Sequence, residues 1–200
     1  LACQISAVEA LPGHVYRVEL LAPAGKKADF WPGQYLLLNV QTKDGEKKLP
    51  YSIASTPGTL TGDDARRIEL HIAAGSETSD QVIAFLKSAS TVGITLPFGD
   101  CLVHPDFLDA NKEPLLLVAA GTGFSQIKSL VEGILAVEPE RELHIYWSNR
   151  EADGFYLADL PIEWARQYSN LRYHPIIETQ SEGWEGRAGW IYQVIHEDFT

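Results

Sequence analysis

The chain has 200 residues, which is enough for one large or two small domains, and its 45% apolar and 22% charged residues are ordinary for a globular protein. The net charge of −11 argues against nucleic acid or an anionic membrane surface as the usual partner. No apolar run approaches the roughly 20 residues that cross a bilayer, and the first residues lack the pattern of a signal peptide.

The first hundred residues alternate between apolar and polar positions in short segments. Turn signals such as Pro12-Gly13 and Asp44-Gly45 separate these segments. We predict strands over 3–10, 15–21, 35–40, 49–55, 68–73 and 91–96. A helix is predicted over 79–88, with Ser79 as its N-cap. Strands at this spacing predict an antiparallel Greek-key β-barrel with one short helix.

The pattern changes after Pro114, and residues 102–114, polar and interrupted by prolines, predict a domain boundary. Leu115–Ala120 is a continuous apolar run, which is typical of a parallel strand buried on both faces. Further strands are predicted over 143–147 and 171–177, with helices over 125–136, 156–168 and 190–196. This order predicts half of an α/β doubly wound nucleotide-binding sheet. The predicted domains are therefore a barrel over 1–104 and an α/β domain over 105–200.

A glycine turn, Gly121-Thr122-Gly123, joins a strand to a helix in the second half. Backbone amides and a helix N-terminus meet at such a turn, so it attracts anions such as a pyrophosphate. The motif is shorter than G-x-G-x-x-G, and a plain strand-to-helix turn is an equal alternative. Ser148 and Arg150 end the next strand and are candidates for a ribose or its phosphate. The alternative is a surface loop in which Arg150 pairs with Glu151 or Asp153.

The stretch Pro50–Pro57 is the candidate wall for a flat aromatic ligand. Tyr51, Ile53 and Ser55 alternate with Ser52, Ala54 and Thr56, so one side of a strand here is small and hydroxylated. A flat ring needs little bulk and a few donors on such a wall. On the pattern of this stretch alone, an ordinary barrel strand with a Ser/Thr-rich solvent face remains open.

Six pieces of sequence, taken in order, resemble the ferredoxin–NADP+ reductase superfamily and, within it, the small bacterial NAD(P)H:flavin oxidoreductases. The resemblance covers essentially the whole chain, and the ordered combination is more specific than any one piece. The pieces are Pro32-Gly33-Gln34-Tyr35, Pro50–Pro57, Ile68–Ile72, Gly121–Ser125, Ile145-Tyr146-Trp147 followed by Arg150-Glu151, and Gly183-Trp184 with Gly186-Arg187.

The resemblance implies an enzyme that moves hydride directly from nicotinamide C4 to flavin N5, with no strong acid, base or metal. Ser52 matches the family serine whose hydroxyl lies near N5, and it is the implied catalytic residue. The implied binding residues are, for flavin, Pro50, Tyr51, Ser52, Ile53, Ala54, Ser55, His71 and Ile72, and, for NAD(P)H, Gly121, Thr122, Gly123, Phe124, Ser125, Trp147, Ser148 and Arg150.

Two departures from the superfamily pattern concern the flavin phosphate. The motif is Arg-x-Tyr-Ser, and Leu49 stands at its arginine position; the neighbouring Lys48 points to the other side of a strand. In the second phosphate site, the turn 75–79, Glu77 places a carboxylate where an anion would bind. We therefore expect flavin (riboflavin, FMN or FAD) to be a transient substrate held by its ring, and stoichiometric FAD in the purified protein would contradict this.

The third departure is the end of the sequence. Family members continue for about another strand and helix beyond this point. Thr200 ends the sequence before them. We expect either that a following segment completes the sheet, which is the better explanation because an unpaired edge is a liability, or that part of the nicotinamide pocket is lacking.

Three functional hypotheses follow. The first is a reductase of free flavin that supplies a flavin-dependent monooxygenase or ferric iron. The second is a reductase with bound FAD that feeds an iron–sulfur centre on a partner, since this chain has no cysteine cluster for one. The third is a flavin- or nucleotide-binding module without turnover. Use of both NADH and NADPH is expected, and the two distant cysteines, Cys3 and Cys101, fit a reducing cytoplasm and no metal site.

Overall fold

The computed structural model describes residues Leu1–Thr200, and their first half is a six-stranded antiparallel sheet. The strand order is β4-β3-β6-β1-β2-β5. The strands are β1 Ala2–Leu11, β2 Val15–Leu21, β3 Tyr35–Thr42, β4 Gly45–Ser52, β5 Arg67–Ala73 and β6 Thr91–Phe98. Each lies within a few residues of its predicted range, because the alternation of apolar and polar residues marks one buried face.

The sheet closes on itself where β4 ends. Ile53 forms a bridge with Leu70 of β5, and the amide of Ala54 donates to the carbonyl of Glu69 at 2.8 Å. Inward-facing residues fill the closed barrel; they include Val18, Leu20, Leu36, Leu38, Ile53, Ile68, Leu70 and Ile72. The predicted barrel is therefore confirmed, and β4 and β5 run beside each other at its closure.

Helix α2, Glu77–Ser88, covers one end of the barrel with Val82, Ile83 and Leu86. Its N-cap is Ser76, and the prediction of Ser79 was wrong by one turn. Ser76 accepts from the amide of Ser79, and the Ser79 hydroxyl accepts from the amide of Ser76, so the two serines form a reciprocal capping box. A short helix, α1 at Gly58–Thr61, follows the closing segment and was not predicted.

The second half is a four-stranded parallel sheet with the order β10-β9-β8-β7. Its strands are β7 Leu115–Ala120, β8 Leu143–Asn149, β9 Leu171–Ile177 and β10 Arg187–Ala188. Its helices are α3 Pro105–Ala110, α4 Phe124–Val137, α5 Asp159–Gln167 and α6 Ile191–Asp198. The predicted order of strands and helices is confirmed; α3, inside the supposed linker, was missed.

One face of β7 is partly exposed in the residues that the structure describes. The apolar run was predicted to be buried on both faces, but Leu116 and Val118 are 44% and 45% exposed. β7 is the outermost strand of this sheet, and α4 packs on it. The central strand β8 has the double burial expected of such a run: Leu143, Ile145 and Trp147 lie in the core beneath α4, while Tyr146 packs with Val194 of α6.

The two halves share their packing. The second core contains mainly residues after 103, yet it also includes Val15 of β2, with Leu11 of β1 packed against it. The hairpin joining β1 and β2 therefore inserts its tip into the second core. A domain division at residues 104 and 105 stays our proposal. None of the six helices is both long enough and apolar enough to cross a membrane.

Candidate functional site

The proposed flavin wall lies where β4 leaves the barrel. Leu49 and Tyr51 are half-buried and pack against the barrel core, whereas Pro50 is exposed. Ser52 is half-buried at the end of the strand. Ile53 and Ala54 are fully buried, backbone included, so neither residue is accessible to a ligand. The accessible part of the predicted wall is therefore Pro50, Tyr51, Ser52 and Ser55.

The structure holds no cation at the Leu49 position. Leu49 pairs with Leu38 and packs on the barrel core, while the neighbouring Lys48 pairs with Asn39 and is exposed on the other face. The alternation predicted for these two residues is confirmed.

Three amides at the start of α2, those of Gly75, Ser76 and Ser79, are occupied by the protein's own groups. The amide of Gly75 donates to the carboxylate of Asp80 at 2.9 Å, and the amide of Ser79 donates to Ser76. Glu77 forms an ion pair with Lys43. A phosphate at the Gly75 amide would have to displace the Asp80 carboxylate, and Glu77 adds a second negative charge, so this turn does not favour a phosphate.

Helix α4 is hydrogen-bonded to the segment that continues the flavin wall. The hydroxyl of Ser129 donates to the carbonyl of Ser55 at 2.8 Å, and the hydroxyl of Thr56 donates back to the carbonyl of Ser129 at 3.0 Å. Gln126 donates to the carbonyl of Gly33 at 2.7 Å. Ser55 is thus a structural link between the halves; its own hydroxyl accepts from the amide of Glu69.

The glycine turn begins α4 and packs against β5 of the barrel. Gly121 has a φ of +51°, a conformation that glycine adopts without strain. Helix α4 is hydrogen-bonded to Ser55, and the glycine turn contacts β5. The glycine turn and the proposed flavin wall are therefore held close together where the two halves meet.

A cavity of about 430 Å³ lies at the carboxyl ends of β7, β8 and β9, where doubly wound sheets bind their ligands. Three of the predicted residues line it: Gly121, Ser148 and Arg150. Three carboxylates line the same cavity, from Glu151, Asp153 and Glu178. The arrangement offers hydroxyl and amide donors, one cation, and several acceptors for ribose hydroxyls.

Two predicted contact residues lie beneath the turn and not at its surface. The rings of Phe124 and Trp147 are both 0% exposed and stack with centroids 3.8 Å apart. The indole Nε1 of Trp147 donates to the carbonyl of Gly121 at 2.9 Å. Ser125 is also buried, Thr122 is half-buried and Gly123 is exposed. The two rings therefore support the turn from inside, and neither residue is exposed to a ligand.

His71 is occupied by protein groups on both ring nitrogens. Nδ1 lies 2.9 Å from the hydroxyl of Tyr156, and Nε2 lies 2.8 Å from Oε1 of Glu69. Its neighbour Ile72 points into the barrel core. The structure does not bring either residue to an open cleft.

Sequence analysis missed Glu69, Lys128 and Tyr156. Nζ of Lys128 lies 3.5 Å from Oε1 of Glu69 and donates to the carbonyl of Ala54. One signal was available: Glu69 and His71 alternate with Ile68, Leu70 and Ile72, so two titratable groups share the face opposite the barrel core. Tyr156 carried no comparable signal, because it comes from a different part of the chain.

Burial by itself would raise the pKa of Glu69, but the hydrogen bond with His71 and the charge of Lys128 outweigh it and lower this pKa to about 2. Burial lowers the pKa of His71, which favours the neutral ring. A neutral ring accepts from Tyr156 at Nδ1 and donates from Nε2 to the Glu69 carboxylate. Burial also raises the pKa of Tyr156, so its hydroxyl keeps its proton.

This network predicts a loss of stability in acid. Because the pKa of folded Glu69 lies below the ordinary value of 4.5, its stabilisation is complete above about pH 4.5 and is lost as the pH falls toward 2. We expect at most roughly 3 kcal/mol from this carboxylate. Urea unfolding of wild type and Glu69→Gln over this pH range measures the contribution. The variant should have a lower free energy of unfolding at pH 7, and this free energy should fall less than that of wild type as the pH decreases. The exposed Glu140→Gln is the control, and parallel acid curves for Glu69→Gln and wild type would contradict the assignment.

Known proteins are similar to this chain in sequence and in fold. The family model described as "Oxidoreductase NAD-binding domain" matches residues 117–200. The NAD(P)H-flavin reductase of Vibrio harveyi is 30% identical over 205 aligned residues, which take in 100% of this chain and 81% of that protein. The NAD(P)H-flavin reductase of Aliivibrio fischeri is 31% identical, with 99% and 80% covered. The Amycolatopsis cytochrome P450 reductase GcoB superposes with a TM-score of 0.84 at 25% identity, over 99% of this chain and 57% of that one.

Proposed function

Because the chain belongs to the NAD(P)H-flavin reductases of the ferredoxin–NADP+ reductase superfamily, we propose that it transfers hydride from reduced nicotinamide to a flavin that binds and leaves as a substrate. The flavin ring supplies the acceptor atom, N5. The observation that carries the proposal is the connection through α4: one helix begins at the nucleotide turn and is hydrogen-bonded through Ser129 to Ser55, directly after the flavin wall.

The chain's residues have three tasks in this proposal. Tyr51 offers a half-buried aromatic face against which a flat ring can stack. The hydroxyl of Ser52 donates a hydrogen bond near N5 and orients the ring. The turn 121–123 and Ser148 bind the nucleotide through backbone amides and a hydroxyl. No residue has to be a strong acid or base, because hydride transfer needs alignment and exclusion of water.

The environment of the wall supports flavin as a substrate and not as a prosthetic group. Leu49 supplies no charge for a phosphate, and the amides of Gly75 and Ser79 at the start of α2 already donate to Asp80 and Ser76. A ring held mainly by stacking and a few hydrogen bonds dissociates readily. The cytoplasm is the proposed compartment, and a flavin-dependent monooxygenase or ferric iron is the proposed acceptor of the released reduced flavin.

The experiment follows NADH and NADPH oxidation at 340 nm with riboflavin, FMN or FAD. We expect saturable, flavin-dependent oxidation by a colourless protein, with KM values for the three flavins within roughly tenfold. A contact with the flavin phosphate would contribute about 1.5–3 kcal/mol, which would raise KM for riboflavin more than tenfold above KM for FMN and FAD. Stoichiometric FAD in the purified protein would favour the alternative, a bound-flavin reductase with an iron–sulfur partner. Binding without oxidation would favour a non-catalytic module.

The nucleotide cavity predicts a preference for NADH. A 2′-phosphate would meet Arg150 but also the carboxylates of Glu151, Asp153 and Glu178, which repel it. We expect both nucleotides to react, with a lower KM for NADH. Arg150→Gln should raise KM for NADPH about fivefold and change KM for NADH less than twofold, because an exposed charge-assisted bond is worth about 1 kcal/mol. Arg172→Gln on β9 is the control, and equal effects on both nucleotides would contradict the role of Arg150.

A further inference from the structure

A buried chain of hydrogen bonds and charges crosses the junction between the two halves. It runs from the Tyr156 hydroxyl to His71, then to the Glu69 carboxylate and on to Lys128. Tyr156, His71 and Glu69 are each buried. The two inner members, Glu69 and His71, belong to β5 of the barrel, and the two ends, Tyr156 and Lys128, belong to the second half.

Each end of this hydrogen-bonded series, Tyr156 and Lys128, is attached to an element of the proposed nucleotide site. Tyr156 follows Asp153 and Gly154, which line the nucleotide cavity, and its ring packs edge-on against Phe124 and Trp147 beneath the glycine turn. Lys128 lies one turn into α4, the helix that starts from the same glycine turn. A displacement of β5 relative to the turn would therefore disturb both ends of the chain.

The hydrogen-bonded series is sensitive to the distance between the two halves because its members are buried. A carboxylate and a hydroxyl removed from water are costly unless each keeps its partners, so a gap of about 1 Å leaves the groups unsatisfied. The bonds are also directional: Tyr156 donates to a neutral His71, which donates to Glu69. Such a network favours one separation of its elements, while apolar packing alone tolerates several.

We propose that the chain Tyr156–His71–Glu69–Lys128 is a positioning device that holds the nucleotide turn against β5 at the separation that hydride transfer requires. This rests on the proposed function. In this proposal Tyr156 and His71 contact neither substrate, and they act by joining β5 to the second half. His71, which family resemblance implied as a flavin ligand, serves instead to connect β5 to the second half.

The test removes one hydroxyl with Tyr156→Phe and uses Tyr173→Phe, another largely buried tyrosine of the second core, as the matched control. In single-turnover stopped-flow measurements we expect Tyr156→Phe to slow flavin reduction about tenfold. The primary isotope effect with NADH deuterated at C4 should rise toward its full value as hydride transfer becomes limiting. Affinity for ADP-ribose, which occupies the nucleotide site without a nicotinamide ring, should stay within twofold of wild type.

A second measurement does not depend on turnover. Spin labels at Lys48→Cys and Arg172→Cys, in a Cys101→Ser background, report the distance between the two halves by pulsed electron–electron double resonance. We expect Tyr156→Phe to broaden this distribution and Tyr173→Phe to leave it unchanged. An unbroadened distribution together with wild-type rates would overturn the positioning role. A wild-type protein that fails to oxidise NAD(P)H with any flavin, yet shows the broadening in the variant, would overturn the proposed function and leave the interdomain role standing.

Discussion

Replacing Gly133 with alanine should reduce the rate of hydride transfer about a hundredfold while leaving the protein folded. An added Cβ at Gly133 would lie 2.8 Å from Cβ of Pro32 and nearer still to its Cγ, and the proline ring cannot turn aside. Helix α4 must then move away from the barrel by about 1 Å, and a misplacement of that size can cost a hundredfold in rate. Alanine also favours the helix by about 1 kcal/mol, which offsets part of the overpacking cost. Single-turnover flavin reduction, with thermal unfolding alongside, measures both effects.

The double variant Pro32→Gly/Gly133→Ala is the control for this prediction. Glycine at position 32 removes both clashing proline atoms, so the double variant should recover most of the rate that Gly133→Ala loses. The two substitutions should therefore be strongly non-additive. If Gly133→Ala reacts as fast as wild type, α4 does not set the distance between the turn and the flavin wall.

Replacing Ser52 with alanine should slow flavin reduction by about 10- to 100-fold with little change in KM for NADH. Ser52 is half-buried at the exposed end of β4, so its loss leaves the barrel core intact. A donor aimed at an atom whose charge changes during the reaction contributes more to the transition state than to the ground state. Steady-state kcat and KM, with a stopped-flow rate for the reductive step, measure the effect.

Two matched variants accompany this substitution. Ser52→Thr keeps the hydroxyl and should retain much of the activity, whereas the exposed Ser88→Ala should match wild type. Equal losses in Ser52→Thr and Ser52→Ala would show that the size of the side chain matters there and that the hydrogen bond does not.

The order and type of the elements followed from local patterns. Alternating strands in the first half and continuous apolar runs around a glycine turn in the second depend on neighbours within a few residues, so the barrel and the parallel sheet were predictable. The exposure of one face of β7 was not, since Leu115–Ala120 has the same composition whether one face or both are covered. The cap of α2 was misplaced because Ser76 and Ser79 are both good caps, and their reciprocal bonding decides which one begins the helix.

The candidate site was predictable only where a residue's neighbours in sequence are also its neighbours in space. Gly121, Ser148 and Arg150 line one cavity because the carboxyl ends of parallel strands meet at one edge. The orientation of Phe124 and Trp147 into the core depends on aromatic partners on β8 and the loop after it. The Tyr156–His71 contact joins residues 85 apart, and no local pattern encodes it.

The insertion of the β1–β2 hairpin into the second core has a thermodynamic consequence. With Val15 buried there and Leu11 beside it, loss of the barrel would expose part of the other core, and loss of the second core would expose the hairpin. The barrel core is built from first-half residues alone, whereas the second core is incomplete without the hairpin. Heating should therefore give a single calorimetric peak whose calorimetric and van't Hoff enthalpies agree, since the two halves behave as one cooperative unit.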